Sequence, residues 1–342
     1  MTIGPFIDMR GAVDVHVHSE PDLFPRIADD VGVARHAAAM GLRAISLKCH
    51  SERTTSRAYL TMQQVPGIHV CGGIVLNRAV GGINPAAVEA ALQLGAKHVW
   101  MPTVDAANHA RTFGSTGKYD KQESTVARAD DAGIEVFSSD GRPIDGLIDV
   151  LDLIAEHSAI LSTCHLSVRE IKLLVRAARD RGVQKIMITH PFFRVPALEL
   201  EDLRELVAQG AYAEFGYCTV SPMWNHAPLT RVVDAIRSLG PERCILMSDG
   251  GQRHNPMPAE CLRTFAQSVF ESGISERGVE TMIKDNPLDL LELPPLEGEP
   301  TAAGGARDAG VMDRATDGAG QHDGAGALAG AQPQPAGTEA GR

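Results

Sequence analysis

The chain has 342 residues, enough to bury a large core in one large domain or two small ones. Its formal net charge is −11, with a pI near 5.6 and no Lys/Arg cluster, so nucleic acid and anionic membrane surfaces are not expected partners. No apolar run approaches the roughly 20 residues of a membrane helix, and aromatics at 4% disfavour a stacking or peptide-groove module.

The N-terminal Met1-Thr2-Ile3-Gly4-Pro5 has neither the basic nor the apolar region of a signal peptide. The six cysteines are scattered, with no Cys-x-x-Cys pair, and are read as reduced buried thiols of a cytoplasmic protein.

The first predicted strand, Val13-Asp14-Val15-His16-Val17-His18, alternates strictly. Period two puts Val13, Val15 and Val17 on one face and Asp14, His16 and His18 on the other. A helix over 31–40, closed by Gly41, leads to a second strand, Ile45-Ser46-Leu47-Lys48-Cys49. The third is His69 to Leu76, after which Asn84-Pro85 supplies a helix cap and a first-turn proline. The fourth is His98 to Pro102.

Residues 105–124 are polar and rich in Gly and Asn/Asp, and read as a loop over the strand ends; Ile134 to Phe137 reads as a short extra strand. Ala159 to Cys164 is the fifth strand of the series, and Ser167 with Glu170 has capping-box spacing. Lys185 to Thr189, Ala211 to Phe215 and Cys244 to Ser248 complete eight, each after an amphipathic helix ending near Gly182, Gly210 or Gly240.

Eight strands with intervening helices predict a (β/α)8 TIM barrel of the α/β class over 1–296. An open doubly wound sheet lacks its Gly-x-Gly-x-x-Gly after the first strand. From about Glu297 the chain turns Gly/Ala-rich with almost no large apolar residues, so 297–342 is expected to be a disordered tail.

With 13 His in the chain, a lone His-x-His is weak as a signal. In a barrel, however, the active site lies at the C-terminal strand ends. There the first strand carries His16 and His18, the second Lys48 and His50, and later strands His165, His190 and Asp249. Imidazoles and a carboxylate suit Zn²⁺ and similar divalent cations. Arg26, His50 and Arg78 are candidate contacts for an anionic substrate, competing with solvated surface roles. Cys49 and Cys164 alternate away from the site, which argues against a thiol nucleophile.

The stretches Val13 to His18, Leu47-Lys48-Cys49-His50, Thr163-Cys164-His165-Leu166-Ser167, Thr189-His190-Pro191 and Ser248-Asp249-Gly250-Gly251-Gln252 resemble the amidohydrolase superfamily of metal-dependent barrel hydrolases, in a largely uncharacterised bacterial branch. The resemblance implies that His16, His18 and Asp249 bind the more buried metal. It implies that His165 and His190 bind a second metal, or that one of them orients the attacking water, with Asp249 moving that water's proton.

The bridging carboxylated Lys or Glu usual at the fourth strand is absent, since that end reads Met101-Pro102-Thr103-Val104-Asp105. Lys48 therefore either bridges two metals in carboxylated form or stays an ammonium that holds a substrate carboxylate. The expected activity is metal-dependent hydrolysis of a C–N or C–O bond in a small molecule. The alternatives are one-metal decarboxylation or hydration of a small acid, and a barrel without catalysis. A homo-oligomer is the default expectation.

Overall fold

The computed structural model describes residues 6–120, 128 and 131–294. The chain divides into two units, Met1–Glu299 and Pro300–Arg342, and every described residue belongs to the first. The expected disordered tail, 297–342, lies outside the described residues.

Among the described residues nine strands form two all-parallel sheets. The first pairs β1 (Val13–Val17), β2 (Ala44–Leu47) and β3 (His69–Cys71) in that order. The second runs β4 (Gly73–Val75), β5 (His98–Trp100), β6 (Ile160–Ser162), β7 (Lys185–Thr189), β8 (Tyr212–Gly216) and β9 (Cys244–Met247). β3 and β4 are halves of one barrel strand, interrupted at Gly72.

The cause of the break is local. A Cβ on Gly72 would lie 2.7 Å from the Thr54 carbonyl. The Thr54 hydroxyl donates to the Leu47 carbonyl at 2.6 Å and accepts the Gly73 N–H at 2.9 Å. The Val17–Gly250 bridge and the His18 N–H to Gly250 carbonyl bond (2.8 Å) join the first strand to the last. The result is the expected eight-stranded barrel.

Helices α1 (Asp30–Ala39), α2 (Thr55–Gln64), α3 (Pro85–Gln93), α4 (Ala107–Phe113), α5 (Leu147–Glu156), α6 (Val168–Asp180), α7 (Leu200–Ala208), α8 (Tyr217–Val220), α9 (Leu229–Leu239) and α10 (Pro258–Glu271) follow the strands. Their local signals act as predicted: Asn84 caps α3 through Ala87 N–H, and Ser167 with Glu170 forms the capping box of α6. Gly182, Gly210 and Gly240 sit at positive φ beyond α6, α7 and α9.

The structure corrects two expectations here. The polar stretch 105–124 is not all loop, since it contains α4. Ile134–Phe137 is no strand; it makes only isolated bridges, Ala106 to Ile134 and Phe137 to Pro143. β5 pairs directly with β6, so nothing intervenes between them in the barrel.

The alternation of β1 also departs from strict period two. Val13 and Val15 pack inside the barrel with Ala44, Cys71, Ile160, Met187, Ile245 and Met247, whereas Val17 joins the cluster between barrel and helices. The register slips between Asp14 and Val17, and such an extra residue reverses the faces beyond it. Leu290 and Leu291, on the last described helix, Asn286–Leu291, close the inner cluster.

Candidate metal centre and active-site pocket

The slip in β1 lets His16 and His18 both face the mouth of the barrel. Their Nε2 atoms lie 3.4 and 3.3 Å from Oδ1 of Asp249, which follows β9. One donor atom from each of the three residues falls within 4.8 Å of the others, and all three residues are buried.

Hydrogen bonds tie the two strand ends together. Asp14 Oδ1 accepts the N–H of Ser248 at 3.0 Å and of His16 at 3.3 Å. The Ser248 hydroxyl donates to the His16 carbonyl at 3.2 Å and accepts the Gly250 N–H at 2.9 Å. Asp249 itself has φ 45°, His190 32° and Cys164 50°, so three strands end on left-handed non-glycine residues. Backbone of that kind is uncommon and concentrates where side chains must be aimed.

The pocket above this triad is lined by His18, Lys48, His50, His165, His190 and Asp249, and also by Arg26 and aromatic residues. Lys48 Nζ donates to His16 Nε2 at 3.1 Å and lies 5.6 Å from the centre of the Trp100 ring. Among the described residues its hydrogen-bond partners are His16 and Cys164, neither of them a carboxylate. Arg26 is paired with Asp22 at 2.7 Å, and its Nη2 donates to His18 Nδ1 at 3.2 Å. His50 Nδ1 lies 2.9 Å from the Thr103 hydroxyl.

The rings of His165 and His190 are 5.1 Å apart, but neither joins the close donor group of His16, His18 and Asp249. Arg78 stands apart from the pocket: its guanidinium pairs with Asp131, and its N–H donates to Asp105. An expected substrate contact is therefore not brought to the site.

Cys164 departs from the expectation that alternation turns it away. It lies two residues beyond the end of β6 with a left-handed backbone, so period two no longer governs it. Its Sγ sits 3.7 Å from Lys48 Nζ. Burial pushes this thiol up to about 11, which leaves it a poor nucleophile. Cys49 does turn away, toward Ser51 and the Pro21 carbonyl.

Burial dominates the electrostatics of these side chains. It lowers His16, His18, His50 and His165 well below the ordinary imidazole value, and takes His190 to about 3. These rings are therefore neutral, as metal ligation requires. Burial pushes Asp249 up to about 6 against the pull of Lys48 and Arg26.

Sequence reasoning left several neighbours without a role. Glu214 on β8 is fully buried, with Oε1 3.6 Å from His16 Nδ1, and burial pushes it up to about 8. His109 contacts His165, and Tyr119, Phe193 and Trp224 form an aromatic wall. Only the positions of His109 and Tyr119 in the polar stretch 105–124 hinted at a place over the mouth.

The donor set fits a divalent cation of the zinc type. His16 accepts the Lys48 hydrogen bond on Nε2, so its proton is on Nδ1 beside Glu214, and holding a cation through Nε2 requires Lys48 to release that lone pair. His18 accepts from Arg26 on Nδ1, so holding a cation through Nε2 requires Arg26 to release that nitrogen.

Solved structures with the same architecture include an amidohydrolase from Pseudomonas aeruginosa (11% identity, TM-score 0.53, covering 82% of this chain and 95% of that one). An organophosphorus hydrolase from Deinococcus radiodurans matches at 14% identity and TM-score 0.51, over 83% and 93% of the two chains. A 2,6-dihydroxybenzoate decarboxylase complexed with 2,6-dihydroxybenzoate matches at 12% and TM-score 0.52, over 83% and 100%.

The fold is thus the (β/α)8 barrel that the sequence implied, shared with these solved structures. The chain belongs to the family of unknown function DUF6282, whose model matches residues 11–214. No curated protein matches its sequence.

Proposed function

We propose that this protein is a metal-dependent hydrolase that uses water to cleave a C–N or C–O bond, as in an amide, cyclic amide, lactone or ester, of a small molecule. The observation that carries the reading is the convergence of His16, His18 and Asp249 donor atoms within 4.8 Å at the mouth of the barrel. When bound there, a cation, most simply Zn²⁺, supplies Lewis acidity and brings the pKa of water to about 7.

The chain's own residues do the rest. Asp249 stands where it can take the proton of the attacking water and pass it to the leaving group. His190 and His165 face the same space and orient the reacting water, or take part in a second metal site. Lys48 and His50 hold the substrate, and Arg26 assists once freed from His18. The enclosed pocket supports a small-molecule substrate, and six buried thiols support a reducing, cytoplasmic setting.

The test pairs elemental analysis with turnover of a panel of lactones, amides and esters. His16→Ala should remove both bound metal and activity; full activity in a chelated, metal-free preparation would refute the reading.

A second reading, decarboxylation or hydration of a small carboxylic acid, draws on one observation. The Lys48 ammonium is buried in the pocket, with His16 and Cys164 rather than a carboxylate as its hydrogen-bond partners, and so suits a substrate carboxylate. Release of carbon dioxide, in place of an amine or alcohol, separates it from hydrolysis.

A further inference from the structure

We propose that His109 is a positioning residue that fixes which nitrogen His165 offers to the pocket, and that it does so through the segment lying over the mouth of the barrel.

The argument is a chain of hydrogen-bond bookkeeping. The Lys118 carbonyl, which can only accept, lies 2.7 Å from His109 Nε2, so that nitrogen carries its proton. Neutral His109 then has Nδ1 as a bare acceptor. His165 Nδ1 lies 2.9 Å away and must supply the proton of that bond. His165, neutral in its turn, is left with a lone pair on Nε2, the nitrogen that remains for the pocket. Both rings are buried, which disfavours the charged forms that would break this logic.

The geometry is that of a direct in-plane bond. The two ring planes are within 5° of parallel, with centroids 5.0 Å apart. His109 is braced on α4 by Phe113, with centroids 4.8 Å apart, and by the edge of Tyr119 at 5.0 Å. Tyr119 also lines the pocket and follows Lys118 directly, so the segment that walls the pocket carries the carbonyl at the head of the chain. The relay reads Lys118 carbonyl, His109, His165, pocket. A displaced segment would free His109 to change tautomer, losing the Nε2 proton to solvent and taking one on Nδ1, and His165 would then present an N–H where the lone pair stood.

The consequence for catalysis rests on the hydrolase reading, because a lone pair serves a cation or a water proton and an N–H serves neither. The hydrogen-bond relay itself does not depend on that reading. It is tested by nitrogen-15 NMR of imidazole-labelled full-length protein, as purified and after chelation, with His165→Gln assigning the signals.

The wild type should show His165 protonated on Nδ1 and bare on Nε2 after chelation. His109→Ala should move His165 mainly to the opposite tautomer. His109→Asn, which keeps an acceptor oxygen at the δ position, should restore it. Tyr119→Ala, which loosens the segment, should shift His165 in the same direction as His109→Ala. A wild-type His165 protonated on Nε2, or a tautomer unchanged by His109→Ala or Tyr119→Ala, would overturn the proposal. The expected tautomer in a protein that binds no metal would uphold the relay and refute only the hydrolase reading.

Discussion

Lys48 is where the chemistry of single residues separates the two metal counts. An ammonium that donates to His16 Nε2 repels a cation on that nitrogen, whereas a carboxylated lysine would ligate one. Lys48→Gln should lower kcat/KM for a carboxylate-bearing substrate at least tenfold without lowering metal content if the ammonium role holds. A fall in metal content by one equivalent would instead mark a carboxylated bridge. At this scale the sequence exposed the residue types, because strand ends in a barrel are a small set of positions. It could not expose partners: the Asp22 clamp on Arg26 and the Asp131 clamp on Arg78 depend on loop paths that no periodicity encodes.

Among elements, the junction of β1 with the turn after β9 is the most tightly specified. A Cβ on Gly251 would lie 2.0 Å from the His18 carbonyl oxygen, and φ there is +122°. Gly251→Ala should therefore cost about 3 kcal/mol or more and misplace His18 and Asp249 together. Gly182, at φ +85° with open space around its would-be Cβ, supplies the control, and Gly182→Ala should cost only about 1 kcal/mol. Urea unfolding of both variants, with metal content, checks the contrast.

The strands and caps were readable because apolar runs and capping residues are local signals: Asn84-Pro85 and Ser167 with Glu170 behave as written. The slip in β1 was not, since a bulge is set by the neighbouring strand, and period two assumes there is none. α4 was hidden because its sequence, ANHARTF, is polar and short, and its helix is held by packing against the pocket wall.

For the whole molecule, the plug at the N-terminal end of the barrel joins residues from the start and the end of the described chain. Leu291 is fully buried against the inner cluster that includes Val13 and Val15. Leu291→Ala should cost about 2–5 kcal/mol through lost burial and a cavity at the barrel's axis. A thermal melt lowered without change in the substrate preference of the residual activity would show that the plug supports the barrel and does not shape the pocket. Eight strands in chain order made the architecture readable from the sequence, whereas the inward packing of the last helix has no local marker.

The bonds between Asp14, His16, Ser248 and Gly250 join the first strand of the barrel to its last. On a ribosome, His16 and His18 emerge at the outset and wait for nearly the whole barrel before Asp249 is made. A partly synthesised chain therefore holds two imidazoles but not the assembled donor group. Because the third donor follows the last strand, the three donor side chains come together only when the ring of strands closes, so the donor group is a product of barrel closure and of no shorter piece of the chain.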